Sequence, residues 1–271
     1  MKFTFLGTAA AEGFPAVFCN CKYCVEARRL KGKNIRTRSQ SLINDDLLID
    51  LPADTYSHFL QNGIEGDKIK YLLITHSHSD HFYFDELRMR NGAFAHDMRV
   101  ENLEVFCGEG TYNKIIENGV PEKLTITKVP IFEKISLGYY SVTALPARHM
   151  DGDGALIYII EGDKTILYAH DTGYFYNKVY DYIKNNRIHF DMVTLDCTNI
   201  DITISDEGSH MGIENIERVL ENLKLYGVVD YETKVYINHF SHNGNPLHHI
   251  LEERVKNMDI TVSFDGCCVE L

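Results

Sequence analysis

The 271-residue chain has no apolar run approaching the roughly 20 residues of a membrane-crossing helix, which argues against an integral membrane protein. It also lacks internal repeats, low-complexity linkers and Pro/Ser-rich stretches, so residues 1–271 read as a single domain. Positive charge is scarce: 27 Lys and Arg face 39 Asp and Glu, a formal balance of −12. Phosphate backbones are gripped by clusters of Lys and Arg, so this balance speaks against stable nucleic acid binding. An acidic chain can still handle a small anion where bound metal ions reverse the local field. An export signal is wanting as well. Lys2 and Ala9-Ala10-Ala11 mimic its two ends, but the apolar part is only Phe3–Leu6, broken by Thr4 and stopped by Gly7. A secretory signal needs about 7–15 apolar residues. The expectation is a first strand and a loop, in a cytoplasmic protein with no membrane partner.

What is present is a hydrophobic share of 44%, enough for a sizeable core. Short runs rich in β-branched and aromatic residues read as strands, among them Lys2–Leu6, Leu47–Asp50, Tyr71–Thr75, Tyr140–Leu145, Thr165–Ala169, Met192–Leu195 and Lys234–Asn238. Helical periodicity marks Ala53–Gln61, Tyr174–Asn185, Ile213–Leu225 and Leu247–Lys256. The first half is strand-rich with hairpin-like spacing and the second alternates helix and strand, which together predict a mixed α/β domain. Asp50 ends one strand, while His76, Asp171 and His239 follow three others. Residues just past strand C-termini converge on one rim of a sheet, where α/β enzymes place their sites.

The most specific string is His76-Ser-His78-Ser-Asp80-His81, directly after the apolar Tyr71–Ile74. Three imidazoles and a carboxylate within six residues can reach two metal ions from one loop. A lone histidine would prove nothing, and Asp80 alone could cap a helix. A second cluster, Cys19-Asn-Cys21-Lys-Tyr-Cys24, offers three of the four ligands of a tetrahedral structural zinc, and His242, three residues beyond His239, is a candidate fourth. In a cytosolic chain such spacing suggests metal before disulfides. Cys107, Cys197, Cys267 and Cys268 have no such spacing and read as small hydrophobes. His210, in Gly208-Ser-His210-Met-Gly212 ahead of a helical stretch, is placed to meet a phosphate or leaving-group oxygen. Arg36 and Arg38 could contact substrate phosphate or lie as solvated surface charges.

The H-x-H-x-D-H string resembles the signature of the metallo-β-lactamase superfamily, and its remaining motifs follow in order: Pro146-Ala-Arg-His149, His170-Asp171-Thr-Gly173 and Ile237-Asn-His239. The resemblance implies an αββα sandwich, two mixed sheets flanked by helices. It also implies that His76, His78 and His149 hold one divalent ion, that Asp80, His81 and His239 hold a second, and that Asp171 bridges them. Asp50 would then orient a ligand imidazole through its other nitrogen, and His170 would be a structural neighbour. The added C-x-C-x-x-C and the His210 loop resemble the branch of phosphoribosyl cyclic phosphate phosphodiesterases, which implies a structural zinc on Cys19, Cys21, Cys24 and His242. The implied activity is hydrolysis of a small, cyclic ribose phosphodiester by a hydroxide shared between two ions (zinc or manganese) about 3.5–4 Å apart. Asp80 would orient the water and His210 would assist the leaving oxygen. The rivals are a nucleotide or RNA phosphodiesterase, a thioester hydrolase, and a non-catalytic carrier of the pyrroloquinoline quinone pathway type. An RNA-processing enzyme would need a substrate-gripping arm, and neither a Gly/Pro-rich insertion nor a basic patch is evident for one. A homodimer is compatible with the sequence.

Overall fold

The computed structural model describes residues 1–149 and 154–271. Its strands are β1 (Lys2–Gly7), β2 (Gln40–Ile43), β3 (Leu47–Ile49), β4 (Tyr71–Ile74), β5 (Leu103–Cys107), β6 (Leu124–Lys128), β7 (Lys134–Leu137), β8 (Tyr140–Pro146), β9 (Leu156–Glu161), β10 (Thr165–Ala169), β11 (Met192–Asp196), β12 (Lys234–Asn238), β13 (Thr261–Val262) and β14 (Cys267–Glu270). They form two seven-stranded sheets, ordered β14-β1-β2-β3-β4-β5-β6 and β13-β12-β11-β10-β9-β8-β7. Both are mixed. β3 to β6 run parallel in the first and β10 to β13 in the second, while the remaining neighbours are antiparallel.

Parallel neighbours need long crossovers, usually helical, that cover the sheet face. The helices α1 (Lys22–Leu30), α2 (Thr55–Asn62), α3 (Phe84–Arg88), α4 (Glu109–Asn118), α5 (Asn177–Asn186), α6 (Ile213–Leu225) and α7 (His248–Val255) include those crossovers. Helix α6 shows why they pack: Ile216, Val219, Leu220 and Leu223 recur at helical spacing and are all buried. Successive strand residues feed opposite layers, as the pleat requires. In β10, Leu167 and Ala169 join the core beneath α5, α6 and α7, while Ile166 and Tyr168 join the core between the sheets. Phe3, Phe5, Ile49, Leu73, Tyr158 and Ile160 complete that central layer. The result is the αββα sandwich.

The first half is less hairpin-like than its sequence spacing suggests, because β3 to β6 are a parallel run. Strands β2, β7, β13 and β14 and helices α1, α3 and α4 carry too little apolar periodicity to stand out, whereas β6, with its alternating Leu124-Thr-Ile-Thr, has a readable pattern that escaped the sequence reading. Gln40 and Ser41, for instance, look like loop residues, yet both are fully buried because β2 is paired on both edges. The Gln40 amide donates to Asp50 O at 2.9 Å and to Thr55 Oγ1 at 3.0 Å, which removes the cost of burying it. No helix of the described residues is long and apolar enough to cross a membrane.

Candidate metal centre

The site lies where the two sheets meet, at the C-terminal ends of the parallel strands β3, β4, β10, β11 and β12 and of the antiparallel β8. Asp50 follows β3, His76 to His81 follow β4, His149 follows β8, Asp171 follows β10, Asp196 ends β11 and His239 follows β12. Asp50, Asp171 and His239 each have a left-handed backbone, with φ of 66°, 48° and 63°. A non-glycine residue there is strained by about 1–3 kcal/mol, and such strain persists where surrounding contacts fix it. Each of the three turns its chain sharply off a strand into the rim.

One donor set consists of His76, His78 and His149. His76 Nε2 lies 3.0 Å from His78 Nδ1, which lies 3.2 Å from His149 Nε2. The other is Asp80, His81, Asp171 and His239, all four buried. His81 Nε2 faces His239 Nε2 at 3.2 Å, Asp171 Oδ2 at 2.5 Å and Asp80 Oδ2 at 3.4 Å. Asp171 Oδ2 also lies 3.3 Å from His76 Nε2, so this carboxylate reaches both sets.

These donors fit divalent cations. Ligand bonds of about 2.0–2.1 Å in a tetrahedron put donor atoms roughly 3.3 Å apart, close to the separations seen here. Imidazole nitrogens turned toward one another at such distances have no other common purpose unless one of each pair carries a proton. Asp171 Oδ1 is buried without a well-aligned hydrogen bond among the described residues, facing His239 Nδ1 at 3.2 Å and His210 Nδ1 at 3.3 Å. The charge balance agrees. Burial drives the His76 imidazole well below its ordinary pKa, and the neighbouring His81 adds to that. Burial opposes ionisation of Asp171, but the facing His239 and His81 outweigh it and hold the carboxyl well below the usual range.

Behind the donors a buried shell fixes orientation. Asp50 Oδ2 lies 2.7 Å from His81 Nδ1, and Asp50 Oδ1 accepts from Thr75 N at 2.8 Å and Thr75 Oγ1 at 2.9 Å. That pairing sets His81 with its Nδ1 proton toward Asp50 and its Nε2 lone pair toward the site. On the opposite side Thr198 Oγ1 lies 2.8 Å from His239 Nδ1. Asp196, fully buried, lies 2.9 Å from His210 Nδ1 and accepts from Met211 N at 3.0 Å. Burial disfavours charge on His210, yet Asp196 outweighs it and raises the imidazole to about 9. His210 stacks on His239 with 5.7 Å between ring centroids and lies 3.3 Å from Asp171 Oδ1. Asp171, Asp196, His210 and His239 thus form a further convergent group. Gly173 makes the approach of this loop possible, since a Cβ there would sit 1.8 Å from Gly208 O.

The cysteine cluster forms with the partner expected of it. Cys19, Cys21, Cys24 and His242 converge, with His242 Nδ1 3.8 Å from Cys21 Sγ and 3.7 Å from Cys24 Sγ. Tetrahedral zinc with sulfur at about 2.3 Å and nitrogen at about 2.0 Å separates such donors by roughly 3.6 Å. Burial opposes ionisation of Cys21, but hydrogen bonds from the Cys24 backbone and His242 draw its thiol down to about 6. Glu12 accepts from Ser241 Oγ at 2.7 Å and His242 N at 3.2 Å, fastening the N-terminal loop to the His239–His242 loop.

Neither arginine left open by the sequence reaches the donors. Arg36 is 2% exposed; it donates to Thr8 Oγ1 and Ser263 O and lies against the Phe240 ring. Arg38 pairs with Asp54 and donates to Ala11 O. His170 is a core histidine whose Nε2 lies 2.7 Å from Thr194 Oγ1. Asp196 and Thr198 escaped the sequence reading, although Asp196 ends a strand just as the other site residues follow theirs. A single Asp before Cys-Thr has no motif to mark it. Of the segment beyond His149, residues 150–153 lie outside the described residues.

The Beta-lactamase superfamily domain model matches residues 48–240, and the chain belongs to that superfamily. A curated relative, a UPF0173 protein of Pyrococcus furiosus, is 27% identical over 107 residues, 40% of this chain and 45% of that protein. The match therefore spans less than half of that relative's length. Among solved structures, a diphosphatase from the PhnP family superposes with a TM-score of 0.75 at 20% identity, covering 100% of this chain and 98% of that one. Zn2+-bound PqqB from Methylobacterium extorquens superposes at 0.74 with 16% identity over the full length of both chains. These likenesses establish the metallo-β-lactamase fold.

Proposed function

We propose that the chain is a phosphodiesterase that hydrolyses a small diester, a cyclic ribose phosphate above all, with two divalent ions. One observation carries this reading: Asp171 touches both donor sets while Asp80 completes the second, so seven side chains are available to two adjacent cations. His76, His78 and His149 would hold one ion, Asp80, His81 and His239 the other, and Asp171 both; Cys19, Cys21, Cys24 and His242 would hold a structural zinc. Bound zinc or manganese would supply Lewis acidity toward phosphate oxygens and a water acidified to a pKa of about 7.

The chain's own groups then divide the work. Asp50 and Thr198 keep the His81 and His239 lone pairs aimed inward. Burial opposes ionisation of Asp80, but positive charge beside it outweighs burial, carried by His81 here and by the cation where one is bound. It can therefore accept a hydrogen bond from the attacking water. His210, held protonated by Asp196, can donate to the departing ribose oxygen. Similarity to a PhnP-family diphosphatase supports phosphorus chemistry as a class, and the cysteine cluster together with the His210 loop favours this branch.

The test is hydrolysis by the purified, metal-loaded protein of a cyclic ribose phosphate and bis(p-nitrophenyl) phosphate. A monoester, a dinucleoside diphosphate, an acyl thioester and nitrocefin run in parallel. Diester cleavage abolished by chelation, with preference for the cyclic sugar, is expected. Exclusive diphosphate or thioester cleavage would overturn the substrate assignment, and inertness toward all of them would favour the carrier reading.

A further inference from the structure

The N-terminal segment carries a surface that the metal centres do not use. Ala16 to Cys19 form a tight turn closed by Cys19 N donating to Ala16 O at 3.1 Å. Its two corner residues are apolar: Val17 is 66% exposed and Phe18 is wholly exposed. Corners of tight turns ordinarily carry Gly, Asn, Asp or Pro. This one is also clamped. The Arg28 guanidinium reaches back from α1 and donates to Cys19 O at 2.7 Å and to Ala16 O at 3.3 Å, on either side of the pair. Ala16 N further bonds to Cys24 Sγ at 3.4 Å. The apolar tip is therefore held out into solvent by a rigid base.

Its flanks carry a charge opposite to that of the chain. Residues 17–35 hold five of the 27 Lys and Arg but one of the 39 carboxylates, Glu26, and that one is paired with Arg29. Lys22, Arg29, Lys31 and Lys33 are exposed, interspersed with exposed Val25, Leu30 and Ile35. The sequence total had concealed this strip.

We propose that this turn and strip dock the protein on an anionic lipid bilayer, with Val17 and Phe18 entering the headgroup–acyl boundary and Lys22, Lys31 and Lys33 facing acidic headgroups. Apolar side chains with flanking Lys and Arg are the composition of interfacial membrane contact. The aliphatic share decides against a nucleic acid strand, which would be held by stacking on several aromatic faces, whereas Phe18 is the single aromatic of the strip that stands wholly free. Because Cys19, Cys21 and Cys24 share His242 with the loop of His239, docking would set the metal centre at a fixed attitude to the membrane.

The experiment is flotation of the full-length, zinc-loaded protein with vesicles of phosphatidylcholine alone or mixed equally with phosphatidylserine, at low and high salt. Binding to the mixed vesicles that salt weakens is expected. It should fall at least about tenfold, both in Val17→Ser/Phe18→Ser and in Lys31→Glu/Lys33→Glu. Metal content and cleavage of soluble diesters should be unchanged in both variants, which separates this proposal from the reading of the metal centre. Failure to float with anionic vesicles overturns it. So does binding that survives both variants, a dimer dispersed by Phe18→Ser without vesicle binding, or binding to a single-stranded oligonucleotide alone.

Discussion

Replacing Asp50 with Asn tests whether the shell behind the ligands governs metal occupancy. The Asp50 carboxylate receives three donors, Thr75 N–H, Thr75 O–H and His81 Nδ1–H, at 2.7–2.9 Å, and is fully buried. Asparagine keeps the shape but exchanges one acceptor for an NH2 donor. With its oxygen toward Thr75, the amide confronts His81 Nδ1–H, and the imidazole must move its proton to Nε2, where a cation should sit. Flipped, the amide confronts Thr75 N–H instead. With a cation held on His81 Nε2, or with the amide flipped, a buried donor faces a donor, which costs about 1–3 kcal/mol; moving the proton to Nε2 relieves that clash only by giving up the ligand lone pair. Loss of an outer-shell partner to a ligating imidazole lowers metal affinity by about 10–100-fold, equivalent to about 1.4–2.8 kcal/mol. Zinc titration of dialysed protein with a fluorescent competitor should show one equivalent weakened by that factor, with the structural equivalent untouched. Unchanged affinity for every equivalent in a folded Asp50→Asn protein would refute the assignment of His81 as a ligand set by Asp50.

Three further outcomes are expected. His210→Ala should lower diester turnover by about 10²-fold or more while metal content stays intact; loss of an ion, measured by elemental analysis, would instead place His210 in the ligand set it abuts. Cys21→Ser should cost one zinc equivalent and lower the melting temperature, and unchanged metal stoichiometry would dismiss the structural site. His58, buried between Gln40 and Thr37, is pushed by burial from 6.5 to about 4. The folded protein binds that proton less readily than the unfolded chain, so stability is full above pH 6.5 and falls as pH drops toward 4, by up to about 3 kcal/mol. Urea midpoints should therefore decline less over that window in His58→Gln than in the wild type.

The sequence made the centre legible because its ligands sit in short motifs at strand ends, where apolar runs give way to His and Asp. The string His76 to His81 stood out on its own residues, the resemblance to the metallo-β-lactamase superfamily added His149, Asp171 and His239, and the structure brings all of them together. Strands β10 and β12 and helix α6 keep the bounds their patterns suggest. Residues whose role exists only in the folded state were illegible. Gln40 and Ser41 look like loop residues until two neighbouring strands bury them, and Arg36 looks like surface charge until Phe240 and Ser263 enclose it. Asp196 acquires its meaning from His210, fourteen residues on, across a loop that no local pattern predicts. The basic strip was masked for a different reason: a net charge averages over the whole chain and hides a local reversal.

The division of ligands between the two sheets has a mechanical consequence. His76 to His81 hang from β4 of the first sheet, whereas His149, Asp171 and His239 hang from β8, β10 and β12 of the second. Neither half can present a complete donor set, so an ion seated there acts as a clasp across the seam. Its affinity gauges how faithfully the halves are aligned. Packing faults far from the rim would be felt first as a leaking cation, while the circular dichroism spectrum still looked native.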